Sequence, residues 1–227
     1  MLNADDAALE ALHKKLWKHV EDQSNNWQSF VYAKEKGFYQ GFDEIKIDGW
    51  RPSEKRFERY NITNYLSKTK YALDIGCNCG FFAMVVSRYV NNIDGVEINP
   101  YLVAIANDTK EFLKVENARF FISSFEEYKT DKKYDVIFSL ANDETIDGNT
   151  KFTFKEYISK IIQLLANDGY LIFESQATDA YNSKRFEPKF ELLKKHFEIV
   201  ENRIVYSEYP VNVPDRIFLI LKNKSSV

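Results

Sequence analysis

From Lys70 onward, short apolar runs alternate with stretches whose apolar residues recur at helical spacing. The runs Tyr71–Ile75, Asn92–Ile98, Ala118–Ser123, Tyr134–Leu140 and Tyr170–Ser175 are predicted as strands. Helices are predicted over Gly80–Val90, Pro100–Leu113, Thr153–Leu165 and Pro188–His196, with Pro100 suited to a first helical turn. A short segment runs through Tyr128, and Asn167-Asp168-Gly169 reads as a turn opening the fifth strand. Such alternation predicts an α/β domain with a parallel sheet, right-handed crossovers and helices on both faces. The last two strand-like runs, Phe197–Tyr206 and Asp215–Lys222, have no helix between them, only Glu208 to Pro214 with two prolines. They are predicted to pair as an antiparallel hairpin at one edge.

Upstream, Asp5 to Glu21 reads as an amphipathic helix with Leu9, Leu12, Leu16 and Val20 on one face and Trp17 widening it. That face is expected to pack on the domain or on a second copy, which would make a homodimer through this helix. Asn25 to Arg59 is irregular and dense in aromatics, including Trp27, Phe30, Tyr32, Phe38, Tyr39, Phe42 and Trp50. Pro52 breaks the chain, and Ser53 or its predecessor is positioned to cap a helix running to about Leu66. Arg51, held extended before that proline, is either a solvated loop arginine or an anion-binding one. The expected division is an N-terminal helical extension and active-site cover, 1–66, and a main domain, 67–227.

With 227 residues, 44% hydrophobic and 29% charged, the chain suits one sizeable soluble domain. A formal net charge of −3 argues against a nucleic-acid partner, which normally meets a basic face. Aromatics at 15% allow an aromatic-lined pocket. The two cysteines, Cys77 and Cys79, are one residue apart; they make neither a disulfide framework nor a metal site, and are expected to pack as small side chains. The acidic N-terminus lacks a secretory pattern and no stretch reads as a membrane span, so the expected setting is a reducing cytoplasm.

The chemistry concentrates at Asp74-Ile75-Gly76-Cys77-Asn78-Cys79-Gly80, where a strand breaks through a glycine turn into a helix. Such a turn aims backbone N–H groups and the positive helix end at whatever lies above it. Gly76 and Gly80 are expected to let backbone or ligand approach closely. Glu97 ends the next strand, about 20 residues past the turn, where a ribose hydroxyl pair calls for a carboxylate. The pattern points to a nucleoside-type cofactor. The spacing lacks the middle glycine of a dinucleotide fingerprint, since Asn78 stands there.

Leu73-Asp74-Ile75-Gly76-Cys77-Asn78-Cys79-Gly80-Phe81 resembles the first motif of class I S-adenosylmethionine-dependent methyltransferases. Tyr134–Leu140 resembles that family's fourth strand, and Leu164-Leu165-Ala166-Asn167-Asp168-Gly169-Tyr170-Leu171 the entry to its fifth. The resemblance covers roughly Lys70 to the C-terminus. It implies a Rossmann-like seven-stranded sheet of order 3-2-1-4-5-7-6 with strand 7 antiparallel, and S-adenosyl-L-methionine as cofactor. It implies cofactor contacts from Asp74, Gly76, Cys77, Asn78, Gly80 and Phe81, from Glu97 and Ile98, and from Ser139 and Leu140. After the third strand the family usually carries an acid for the adenine amino group. Here Ser123-Ser124-Phe125 stands there, so Ser124 is expected to make a weaker contact and Phe125 or Ile98 to pack on the ring.

The tracts Tyr39 to Arg56 and Ser139 to Glu144 are similar to small-molecule methyltransferases of bacterial capsule and lipopolysaccharide pathways. This implies a sugar-hydroxyl or phosphate-like acceptor, for instance a nucleotide sugar. Tyr39, Arg51, Asn142 and Glu174 are the expected acceptor-side residues, because ligands in open α/β sheets sit beyond the carboxyl ends of the strands. A sugar hydroxyl gains from a general base. No histidine lies near the fourth strand, so Asp143 and Glu144 are the candidate bases, against a solvated acidic loop. A dehydrogenase would prefer the missing glycine, and a DNA amino-methyltransferase would carry Asn/Asp-Pro-Pro-aromatic where Asn142-Asp143-Glu144-Thr145 stands. A tRNA methyltransferase and a cofactor-binding scaffold without turnover stay as alternatives.

Overall fold

The computed structural model describes residues 4–32, 37–144, 150–207 and 215–224. The helix α1 (Ala4–Asn26) leads to a short strand β1 (Phe38–Gly41), which pairs in parallel with β2 (Gly49–Pro52). The two backbones come so close that a Cβ on Gly49 would lie 2.2 Å from the carbonyl carbon of Gln40. Helix α2 (Ser53–Tyr60) follows Pro52 directly. It stops short of the expected Leu66 because Asn61 takes a left-handed conformation (φ 46°) and closes the helix end. A single 3-10 turn, Thr63–Tyr65, completes the tract.

The main sheet holds β3 (Tyr71–Ile75), β4 (Asn92–Glu97), β5 (Ala118–Ile122), β6 (Tyr134–Leu140), β7 (Leu165–Glu174), β8 (Phe197–Tyr206) and β9 (Asp215–Asn223). Their order is β5-β4-β3-β6-β7-β9-β8, with β9 antiparallel to both neighbours and the remaining pairs parallel. This is the seven-stranded order the resemblance implies, edge hairpin included. The intervening helices are α3 (Phe81–Ser87), α4 (Pro100–Phe112), α5 (Phe154–Leu164) and α6 (Ser183–His196).

Alternate residues of the strands feed two cores, as a period of two demands. Ala72, Val136, Phe138 and Ile172 join the N-terminal helices, α3 and α4 on one face; Leu73, Ile137, Leu171 and Phe173 join α5 and α6 on the other. Boundaries at β7 and α6 also differ from the sequence reading. Asn167-Asp168-Gly169 is no separate turn but an irregularity within β7, where the register against β6 shifts and Asp168 has φ 60°. Helix α6 starts at Ser183, not Pro188, because the Asn182 side chain caps the Arg185 N–H and buried Phe186 anchors the first turn.

The N-terminal region is part of the same body. Leu12, Leu16 and Val20 are buried, α1 packs along α4, and Trp17 meets Phe38 edge-on at 5.0 Å. Lys15 and His19 both reach Asp108 of α4. The Leu12, Leu16 and Val20 face of α1 thus packs on the chain itself, while Trp17 keeps 40% of its surface exposed. Among the described residues no helix is long and apolar enough to cross a membrane.

Candidate active site

The carboxyl ends of β3, β4 and β6 open into one cleft. Its walls are Asp74, Gly76, Asn78, Glu97, Leu140, Ala141 and Asn142 from the main sheet side, and Tyr32, Tyr39, Gln40 and Arg56 from the N-terminal tract. The glycine turn forms the floor, and its amides are not bare. Cys77 N–H donates to Val96, Asn78 N–H to the Glu97 carboxylate at 3.1 Å, Cys79 N–H to the Asn78 side chain, and Gly80 N–H to Cys77. The Gln40 side chain closes the set: its oxygen accepts from Phe81 N–H at 3.1 Å and its Nε2 donates to the Cys77 carbonyl at 3.2 Å. Backbone carbonyls and the side chains of Asn78, Glu97 and Gln40 therefore satisfy donors that the sequence reading assigned to a ligand. The Phe81 ring is buried beside Phe38 and Phe42, so Phe81 belongs to the core.

Gly80 likewise serves packing: a Cβ there would lie 2.6 Å from the Phe120 ring and 2.8 Å from Ala106. Cys77 and Cys79 are buried, and burial pushes both thiols up, away from reactivity. The Cys77 sulfur fills the space over Gly95, where a Cβ would come within 2.8 Å of it.

Glu97 is buried at the end of β4, accepting from Asn78 N–H and, at 2.9 Å, from Asn99 N–H. Asn99 caps α4 and donates to the Gln23 side chain at 2.7 Å; Gln23 in turn donates to the Tyr32 carbonyl at 2.6 Å. One buried glutamine of α1 thus ties the Glu97 loop to the opposite wall. Asp74 is the other acid of the cleft, and among the described residues no hydrogen bond reaches its carboxylate. Burial pushes it up to about 7, partly offset by the Arg56 guanidinium.

Several expected residues stand elsewhere. Ser124 accepts from Glu127 N–H, and Ile98 does not line the cleft. Phe125 is fully buried against Tyr157 at 5.1 Å, and the Ser139 hydroxyl meets the Tyr157 hydroxyl at 2.8 Å, so both sit in the α5 core. Asn142 does line the cleft and donates to the Ile75 carbonyl. Asp143 and Glu144, expected as bases, turn instead toward α6. Lys189 reaches Asp143, Glu144 and Asp179, and Arg185 pairs with Asp179 and Glu144. Burial raises Asp143 despite its lysine, whereas Lys189 and Arg185 outweigh burial at Glu144 and lower it. This ion cluster pins the segment after β6 to α6.

Arg51 and Glu174 meet each other. Arg51 is 2% exposed and Glu174 0%; one guanidinium nitrogen donates to both carboxylate oxygens at 2.8 Å. Tyr60 donates to the same carboxylate, and Arg56 donates twice to the Tyr60 hydroxyl, at 3.2 and 3.1 Å. Burial alone would raise Glu174, but Arg51, Arg56, Arg216 and Tyr60 hold it at about 2. Arg56 and Gln40 had no sequence signal beyond their place in the aromatic tract.

A family model described as a methyltransferase domain matches residues 66–217. The chain belongs to this methyltransferase family. Malonyl-[acyl-carrier protein] O-methyltransferase 1 of Ilyobacter polytropus is 27% identical over 174 residues, which is 73% of this chain and 62% of that protein. A second such enzyme from the same organism is 28% identical over 63% of this chain and 50% of its own length. The chain spans about half to three-fifths of these relatives. Among solved structures, the N-methyltransferase NodS of Bradyrhizobium japonicum, in complex with S-adenosyl-l-homocysteine, superposes with a TM-score of 0.58 at 18% identity, covering 77% of this chain and 89% of that one. A tRNA methyltransferase of M. jannaschii gives 0.56 at 20% identity, over 74% and 49%. These neighbours show the class I methyltransferase fold. The donor such a methyltransferase uses, S-adenosyl-L-methionine, fits the cleft: an ionisable Asp74 without a hydrogen bond suits its ammonium, and a buried acid at Glu97 suits its ribose.

Proposed function

We propose that this methyltransferase moves a methyl group from S-adenosyl-L-methionine to an oxygen of a small-molecule acceptor, with a nucleotide sugar or other surface-glycan precursor as the leading class. When bound, the donor supplies a methyl carbon activated by its sulfonium, so the protein's work is alignment and exclusion of water. Glu97 holds the ribose hydroxyls, and Asp74 and Arg56 hold the ammonium and carboxylate of the amino-acid end. Gln40 and Asn78 keep the turn shaped beneath them. Leu140, Asn142 and Tyr39 border the acceptor, while Arg51 and Glu174 brace that wall. The observation that carries the reading is the single cleft in which Asp74, Gly76, Glu97, Asn142, Tyr39 and Arg56 converge. An oxygen acceptor is in keeping with the O-methyltransferase names of the two Ilyobacter relatives. A net charge of −3 does not favour a tRNA.

Calorimetry with S-adenosylhomocysteine tests the donor site. Labelled methyl transfer across a panel of nucleotide sugars, a malonyl thioester and tRNA tests the acceptor. No heat with S-adenosylhomocysteine would end the proposal; transfer to tRNA alone would replace the acceptor class.

A further inference from the structure

With Asp143 and Glu144 tied to α6, the site lacks the acids expected to take a proton from a hydroxyl acceptor. Among the cleft-lining groups, Glu97 is occupied by two backbone amides, and Asp74, near the end of β3, is the group assigned above to the donor's ammonium. Tyr39 is differently placed. It stands on β1 at the junction of the cleft with the Arg51–Glu174 pair, its ring braced edge-on by Tyr32 at 5.3 Å. Arg51 Nη1 donates to its hydroxyl oxygen at 3.4 Å, and Arg51 is itself locked by Glu174. A guanidinium donating to a phenol oxygen favours the phenolate.

We propose that Tyr39 is the general base of the methyl transfer and that the acceptor is a neutral hydroxyl. This rests on the donor reading above. The ionised Tyr39 oxygen takes the hydroxyl proton. The acceptor oxygen forms its bond to the methyl carbon as the carbon–sulfur bond breaks with its electron pair going to sulfur, and Tyr39 later returns the proton to solvent. A carboxylate or phosphate oxygen would need no such group.

The charged surroundings agree. The titratable groups facing Tyr39 are Tyr32 beside its ring, Arg51 of β2, Arg56 of α2, Glu174 of β7 and Arg216 of β9. Burial and Glu174 oppose ionisation of Tyr39, but Arg51 and Arg56 outweigh them and bring it below the ordinary tyrosine range. Tyr60, in the same cluster, is pushed up to about 12 by burial and by the carboxylate it serves.

The test needs no acceptor. Tyrosinate absorbance is titrated for the wild type and for Tyr39→Phe, and the difference isolates one ionisation among 14 tyrosines. It is expected below about 10, the ordinary value, and to move upward in Arg56→Gln, while Tyr39→Phe keeps its affinity for S-adenosylhomocysteine. Independently of any variant, an aryl sulfonyl fluoride at pH 8 should modify Tyr39 of the wild-type protein ahead of Tyr32 and Tyr60, as mapped by mass spectrometry. Ionisation at or above 10, or modification of Tyr39 no faster than of the other two, overturns the proposal. Failure of the donor reading would appear separately, as absence of S-adenosylhomocysteine binding by the wild type.

Discussion

The side-chain oxygen of Gln40 accepts the backbone N–H of Phe81 at 3.1 Å, while the same amide group donates to Cys77. One residue from the N-terminal tract thereby holds both ends of the glycine turn. Gln40→Leu leaves a buried donor and a buried acceptor unpaired, at a cost of about 1–3 kcal/mol each. Urea unfolding should show that loss, with weaker S-adenosylhomocysteine binding beside it. Unchanged stability would mean that the turn finds other partners.

Glu97 has two tasks, so its removal is expected to show twice. Glu97→Ala should abolish measurable donor binding and also lower stability by about 1–3 kcal/mol, because the Asn78 and Asn99 amides lose their acceptor. Calorimetry and thermal unfolding on the same preparation check both outcomes.

Asp74 makes donor affinity depend on pH. Its carboxyl ionises at about 7, above the unfolded 3.8, so ionising it costs the fold stability as pH rises through that window. An ammonium needs the ionised form, so affinity for S-adenosylhomocysteine should rise with pH up to about 7 and fall about tenfold per unit below it. Asp74→Asn should flatten that profile, weaken binding and stabilise the unliganded protein at pH 8.

Glu174 behaves oppositely. Its folded value of about 2 lies below the ordinary 4.5, so its stabilisation is complete above 4.5 and is lost as pH falls through about 2. Glu174→Gln leaves Arg51 buried beside Arg56 without a counter-charge, an expected cost of about 3–5 kcal/mol. Adding Arg51→Met should recover part of it. Full additivity in that cycle would show that the pair is not coupled.

Asp143→Asn should lower melting temperature rather than donor affinity, since it weakens the hold of Lys189 on the segment after β6. Differential scanning calorimetry with and without S-adenosylhomocysteine separates the two effects.

The sheet was legible because each of its signals is local. The short apolar run Tyr71–Ile75, the glycines after it, and Glu97 at the end of the next run each sit within one element and its turn. The edge hairpin followed from two prolines and a missing helix. The cleft's upper wall was not legible, because its contacts are remote in sequence: Gln40 to Phe81 spans 41 positions and Arg51 to Glu174 spans 123. No pattern within the tract says that Arg56 faces Tyr60 and the cleft while Arg51 turns to Glu174. Asp143 was misread for the same reason, since Lys189 lies 46 residues on. Phe125 and Ser139 occupy positions whose inward facing only the packing of Tyr157 decides.

The stretch matched by the family model begins at residue 66, whereas Tyr32, Tyr39, Gln40 and Arg56 all precede it. The family's sheet thus supplies one side of the cleft, and a tract outside the matched stretch supplies the other. Because Gln40 and Arg56 belong to that tract, exchanging 37–60 between relatives is expected to change the grip on the methyl source together with the acceptor wall.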